Sequence, residues 1–79
     1  PADVESATPE DQAETALRRA AVRAALARLE PRERELVALK FHAGLDNGEI
    51  AAVLGVSVSN AGTQLHRAMT KLREAVEHA

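Results

Sequence analysis

The sequence contains no cysteine, tryptophan or tyrosine, and its one aromatic residue is Phe41. Without thiols there is no disulfide framework and no thiolate metal site. Without aromatics the core has to be built from aliphatic side chains. No apolar run approaches the roughly 18 residues that a membrane-spanning helix needs. The N-terminus is acidic, not basic and then apolar, so it lacks the form of a secretory signal. Val and Ile, the strongest apolar strand formers, number only seven and one. Ala and Leu, by contrast, number 17 and nine, which is the composition of a helical protein.

At 79 residues and 8.4 kDa the chain holds one small domain. A domain of this size buries a low fraction of its surface and is only marginally stable. It begins with Pro1 instead of Met, which suggests a piece of a longer protein, and an intracellular, cytoplasmic setting is expected. The net charge of −2 conceals a division. Residues 1–16 carry five acids and no base, whereas residues 17–79 carry ten bases against seven acids. The body is therefore mildly basic, which permits nucleic-acid binding without requiring it.

Helix signals punctuate the chain. Residues 1–7 read as an acidic linker, and residues 8–79 as the domain. Thr8-Pro9-Glu10-Asp11 supplies an N-cap, a proline at the first helical position and acids in the first turn. The helix it starts runs to about Leu29, with Val22, Ala25, Leu26 and Leu29 on one stripe. Pro31 opens a second helix reaching about His42, with Leu36, Leu39 and Ala43 on its stripe and Val37 and Phe41 alongside. Gly44 is placed to end it. Asp46-Asn-Gly-Glu49 forms a capping box ahead of a short third helix with Ile50, Val53 and Leu54 on one face. Gly55 stops that helix, and Ser57 caps a fourth that extends to about Glu77. The stripe of this last helix is Ala61, Leu65, Ala68, Met69, Leu72 and Val76.

The expected fold is all-α, a four-helix domain with a C-terminal helix-turn-helix. In this it resembles the winged-helix-like DNA-binding class, without the wing. Ala51 and Ala52 are small enough for the last two helices to approach closely. Gly55 can adopt the left-handed turn conformation, and Val56 can bury between the helices. The fourth helix then projects its N-terminal half outward, toward a major groove about 12 Å wide. At about 100° per residue, Thr63, Arg67 and Thr70 lie opposite the apolar stripe. Ser59, Asn60 and His66 flank them, and Gln64 lies at one margin. Such side chains can address base edges and phosphates, but the spacing equally suits a solvated face.

Three fragments carry a resemblance. They are Leu29-Glu-Pro-Arg-Glu-Arg-Glu-Leu36, Gly44-Leu45 with Glu49-Ile-Ala51 and Leu54-Gly-Val-Ser57, and Leu65-His-Arg-Ala68 with Lys71-Leu-Arg-Glu74. In this order and spacing, over roughly residues 8–77, the chain resembles region 4 of bacterial RNA polymerase sigma factors of the sigma-70 family, extracytoplasmic-function type. The resemblance implies a domain that reads the −35 promoter element in the major groove and docks on the flap of core polymerase through its first two helices. An anti-sigma factor is a possible further partner, and the isolated domain is expected to be a monomer. DNA contacts carried over by position fall on Asn60, Gly62, Thr63, Gln64, His66 and Arg67, with phosphate contacts on Arg32 and Arg34. Together with the cap Ser57, and with Ser59 and Lys71 on the same helix, these form the candidate interface.

Two departures stand out. The family usually reads G-T-V-K-S-R ahead of L-H-R-A, whereas this chain reads Ser59-Asn-Ala-Gly-Thr-Gln64. Gly62 and Gln64 therefore stand where two bases are expected, which weakens DNA binding and flattens its salt dependence. Asn47-Gly48 likewise stands where Tyr-Glu is common. These departures motivate a second reading, a protein-interaction module with weak DNA contact. A third, a LuxR-type response-regulator output domain, shares the Gly44-Leu-Asp-Asn-Gly-Glu-Ile-Ala51 pattern but not Leu65-His-Arg-Ala68. No metal or cofactor is expected, since His42, His66 and His78 do not share a face at ligand spacing. Nor is an enzyme expected, because there is no nucleophile with a base partner and no phosphate-cradling glycine loop.

Overall fold

In the computed structural model, which describes residues 8–78, the chain is all α-helical, with no strand among the described residues. The expected linker at residues 1–7 lies outside them. Four helices follow in order: α1 (Pro9–Ala27), α2 (Pro31–Val37), α3 (Asn47–Leu54) and α4 (Val58–Glu77). A π-helical segment, Ala38–His42, continues α2.

The helix starts lie at the local signals. Thr8 Oγ1 accepts from the Asp11 N–H at 3.1 Å, and Pro9 follows where a missing N–H costs nothing. Asp46 and Glu49 form a reciprocal capping box: Glu49 N–H donates to Asp46 Oδ1 at 2.8 Å, and Asp46 N–H to Glu49 Oε1 at 3.0 Å. At α2 the Glu30 N–H donates to Glu33 Oε1 at 2.7 Å. Gly55 takes the left-handed conformation (φ +70°), which lets the Val56 N–H turn back to Ala51 O at 3.0 Å.

Two connected clusters make the core. Leu36, Ile50, Ala51, Ala61 and Leu65 form one, lined by Leu39, Leu45, Leu54 and Val56. Leu29, Val37 and Ala68 form the other, with Leu26 and Leu72 against them. Met69 touches both. Every buried core position is aliphatic, and no polar side chain is buried among the described residues. The long amphipathic helix α4 is the common wall, packed by α1, α2 and α3. Alanines at 61 and 68 let those helices come close.

Several expected stripe positions face solvent. Ala43 is exposed because the π turn is wider than an α turn. There the Ala43 N–H reaches back five residues to Ala38 O at 2.9 Å, which takes Ala43 off the Leu36–Leu39 line. Leu45, folded back after the left-handed Gly44, fills the place instead. The same segment leaves Phe41 62% exposed. In α3, Val53 and Ala52 are exposed, and Ala51 alone makes the close approach to α4. The helix is only eight residues long and buries one narrow strip, Ile50 and Ala51, with Leu54 at its edge. In α1, Val22 is exposed and every residue from Pro9 to Ala20 faces solvent. Only the C-terminal end of α1 reaches the core. Ala75, outside the expected stripe of α4, is buried.

Candidate nucleic-acid interface

The sequence builds this surface from the α3–turn–α4 unit. Gly55 reverses the chain, Val56 inserts its side chain against the core, and Ser57 starts α4. Ser57 Oγ accepts from the Asn60 N–H at 3.0 Å. That bond satisfies one of the unpaired donors of the first turn and leaves the Ser57 O–H free to donate. The first turn of α4 carries no acid, so its partial positive charge is not neutralised from within. No acid occurs between Val58 and Arg73, while Arg67, Lys71 and Arg73 add three cations. The N-terminal two-thirds of α4 thus offers an electropositive surface to an anion.

The structure brings most of the expected residues together. Ser57, Ser59, Asn60, Thr63, His66 and Arg67 are all exposed on the N-terminal half of α4, away from the core. Gln64 is half-buried at the margin, where its Nε2 donates to Asn60 Oδ1 at 2.8 Å. This i, i+4 bond aligns the two amides while leaving Asn60 Nδ2 and Gln64 Oε1 available to a base edge. Among the described residues Arg67 has no carboxylate partner, so its guanidinium is free for a guanine or a phosphate.

Three expected residues lie apart from this group. Lys71 is half-buried and donates to Glu33 Oε1 at 3.0 Å, a strut between α4 and the start of α2. Glu33 thereby serves two donors, the Glu30 N–H and Lys71, which together hold its carboxyl below the ordinary 4.5. Arg32 is exposed in the first turn of α2. Arg34, also exposed, borders a shallow apolar groove lined by Leu26, Val37, Ala38, Phe41 and His42, on the α1–α2 side of the molecule.

Two further residues were not legible as site residues. Lys40 Nζ donates to Asn47 Oδ1 at 3.4 Å, joining the π segment to the start of α3. A Cβ added at Gly62 would meet Asn47 Nδ2 at 3.6 Å, so the Asn47 amide lies over the bare position of α4. Local periodicity could not reveal this, because the contact joins three elements.

Residues 19–72 match the family Sigma-70, region 4, and these residues span α2, α3 and most of α4. The chain belongs to that family. The chain is 37% identical over 68 residues to an RNA polymerase sigma-E factor of Streptomyces antibioticus, covering 86% of this chain and 38% of that protein. It is 35% identical over 71 residues to an RNA polymerase sigma-E factor of Streptomyces avermitilis, covering 90% and 40% respectively. The chain thus spans about two-fifths of the length of the curated relatives it matches. This form of region 4 is typical of extracytoplasmic-function sigma factors. Region 4 of a sigma factor binds the −35 promoter element and core polymerase, and the family is not enzymatic. A LuxR-type output domain is therefore set aside.

Proposed function

We propose that this chain is the promoter-reading module of a transcription initiation factor, acting by positioning polymerase and not by chemistry. The observation that carries the reading is the family match, which coincides with the acid-free, exposed half of α4. In this reading α4 enters the major groove. Asn60, Thr63, Gln64 and Arg67 address base edges, while His66, Ser57, Ser59 and Arg32 address the backbone. Lys71, held by Glu33, adds long-range field and not a direct contact. The site of action is the cytoplasm, where promoter and polymerase are.

In the same reading, core polymerase docks on the α1–α2 side. The Phe41 groove supplies an apolar seat, with Arg34 and His42 at its rim, and an exposed aromatic is the expected anchor of such a contact. An anti-sigma factor would compete for the same seat. The domain itself is a monomer. The neutral residues at 62 and 64 favour a second reading, in which protein contact dominates and DNA contact is weak. Changing Thr63 and Arg67 to Ala distinguishes the two. If α4 reads DNA, the double variant keeps the parent's helical circular dichroism and loses duplex affinity and salt dependence. Unchanged duplex binding would favour the protein-interaction reading.

A further inference from the structure

The recognition helix lacks a side chain at Gly62, and a side chain of another helix lies over the bare position. Asn47, the first residue of α3, places its amide nitrogen 3.6 Å from the position a Cβ would take. The other atom of the same amide, Oδ1, accepts from Lys40 Nζ at 3.4 Å. Both side chains are half-buried, so neither is free to sweep the solvent. Lys40 is brought there by the π segment, whose wider turn changes the direction in which its residues project. An ammonium from one helix therefore meets an amide from a second, and that amide lies over a bare position of the third.

The charges around this cluster are definite. Asp46 and Glu49 stand at the same helix start, and each carboxylate is engaged by the other residue's backbone N–H. They remain negative and would repel a phosphate. Lys40 forms no ion pair among the described residues, so its charge is available to offset them. A side chain added at position 62 would start out against this same Asn47 amide. The geometry points to Asn47 as a positioning residue that holds the Lys40 ammonium on the Asn47 side of Gly62, so that the end of α2 supplies a cation for a phosphate where the first nine residues of α4 carry no Lys or Arg. The inference rests on duplex binding by α4, and it adds two residues to that interface.

The test uses the 79-residue chain and a short mixed-sequence duplex, because phosphate contacts are independent of sequence. Affinity is measured across a salt series. Lys40→Met is expected to reduce the slope of log affinity against log salt by about one, the loss of one phosphate contact. Lys40→Arg is expected to keep it. Asn47→Ala, which frees the ammonium, should weaken binding at every salt concentration. The decisive variant is Lys40→Met with Gly62→Lys. It should recover the parent's slope, because the cation returns to the same place by another route. Gly62→Lys alone should add less than it adds in the Lys40→Met background.

An unchanged slope in Lys40→Met overturns the inference while leaving the reading of α4 intact, provided that Arg67→Ala still lowers it. Fully additive effects of Lys40→Met and Gly62→Lys overturn it too, since they would mean two separate phosphates. A parent chain with no salt-dependent duplex binding overturns both the inference and the reading on which it rests.

Discussion

Gly62 is the fifth residue of α4, and the helix continues for about four turns beyond it. A glycine there loses more backbone freedom on folding than alanine and contributes no side-chain contact. Neither of the two glycines with positive φ is Gly62, so alanine meets no backbone strain at this position. Its Cβ would find Asn47 Nδ2 at 3.6 Å, an ordinary van der Waals separation that requires no neighbour to move. Gly62→Ala is therefore expected to stabilise the domain by about 0.5–1 kcal/mol. In a domain of this size each kcal/mol shifts the melting temperature by about 4–8 °C, so the expected rise is about 2–8 °C. Thermal unfolding followed by circular dichroism at 222 nm gives the shift, and a urea titration should show a raised midpoint with an unchanged slope. Duplex affinity should hold, because the Asn47 amide stays where it is. A variant that melts at or below the parent's temperature would refute the reasoning, since the Asn47 contact would then be too tight for even one methyl group.

Ile50 is fully buried, and Ile50→Ala should cost about 2–5 kcal/mol, enough to leave a domain this small largely unfolded in a urea titration near 25 °C. Ser57→Ala should cost about 1 kcal/mol by removing the cap on the Asn60 N–H, read as a lower melting temperature. Glu33 has a folded-state pKa below its ordinary 4.5, so its contribution is present above that pH and is lost as pH falls through the lowered value. Glu33→Gln should accordingly flatten the acid limb of stability below pH 4.5, and an acid limb identical to the parent's would contradict the strut with Lys71. Phe41→Ser should leave the melting temperature nearly unchanged, because the ring is 62% exposed, while abolishing capture of the polymerase flap.

What the sequence made legible was local. Thr8, Asp46 and Ser57 cap helices as expected because an N-cap bond spans only three residues. Gly55 marks the turn because the left-handed conformation selects glycine within the turn itself. The exposed face of α4 followed from its strong apolar stripe, since a long helix with one buried side leaves no choice for the other. The π segment was illegible. No glycine or proline announces it, and it displaced Ala43 and exposed Phe41. The short helix α3 was half legible, because eight residues cover barely two turns and do not determine which apolar residues face in. Lys71 shows the limit most clearly. It lies on the same helix as the candidate DNA contacts, yet a carboxylate 38 residues away in sequence holds it. Lys40, Asn47 and Gly62 came together only in three dimensions.

The central claim is that α4 selects a DNA sequence, and selection from a pool of randomised duplexes tests it most directly. The chain is incubated with the pool at low and at moderate salt, and the bound fraction is sequenced. The account predicts one enriched motif, centred on a few base pairs, that disappears in the Thr63→Ala, Arg67→Ala double variant. A folded chain that returns the pool unchanged, or an enriched motif that survives the double variant, would contradict it.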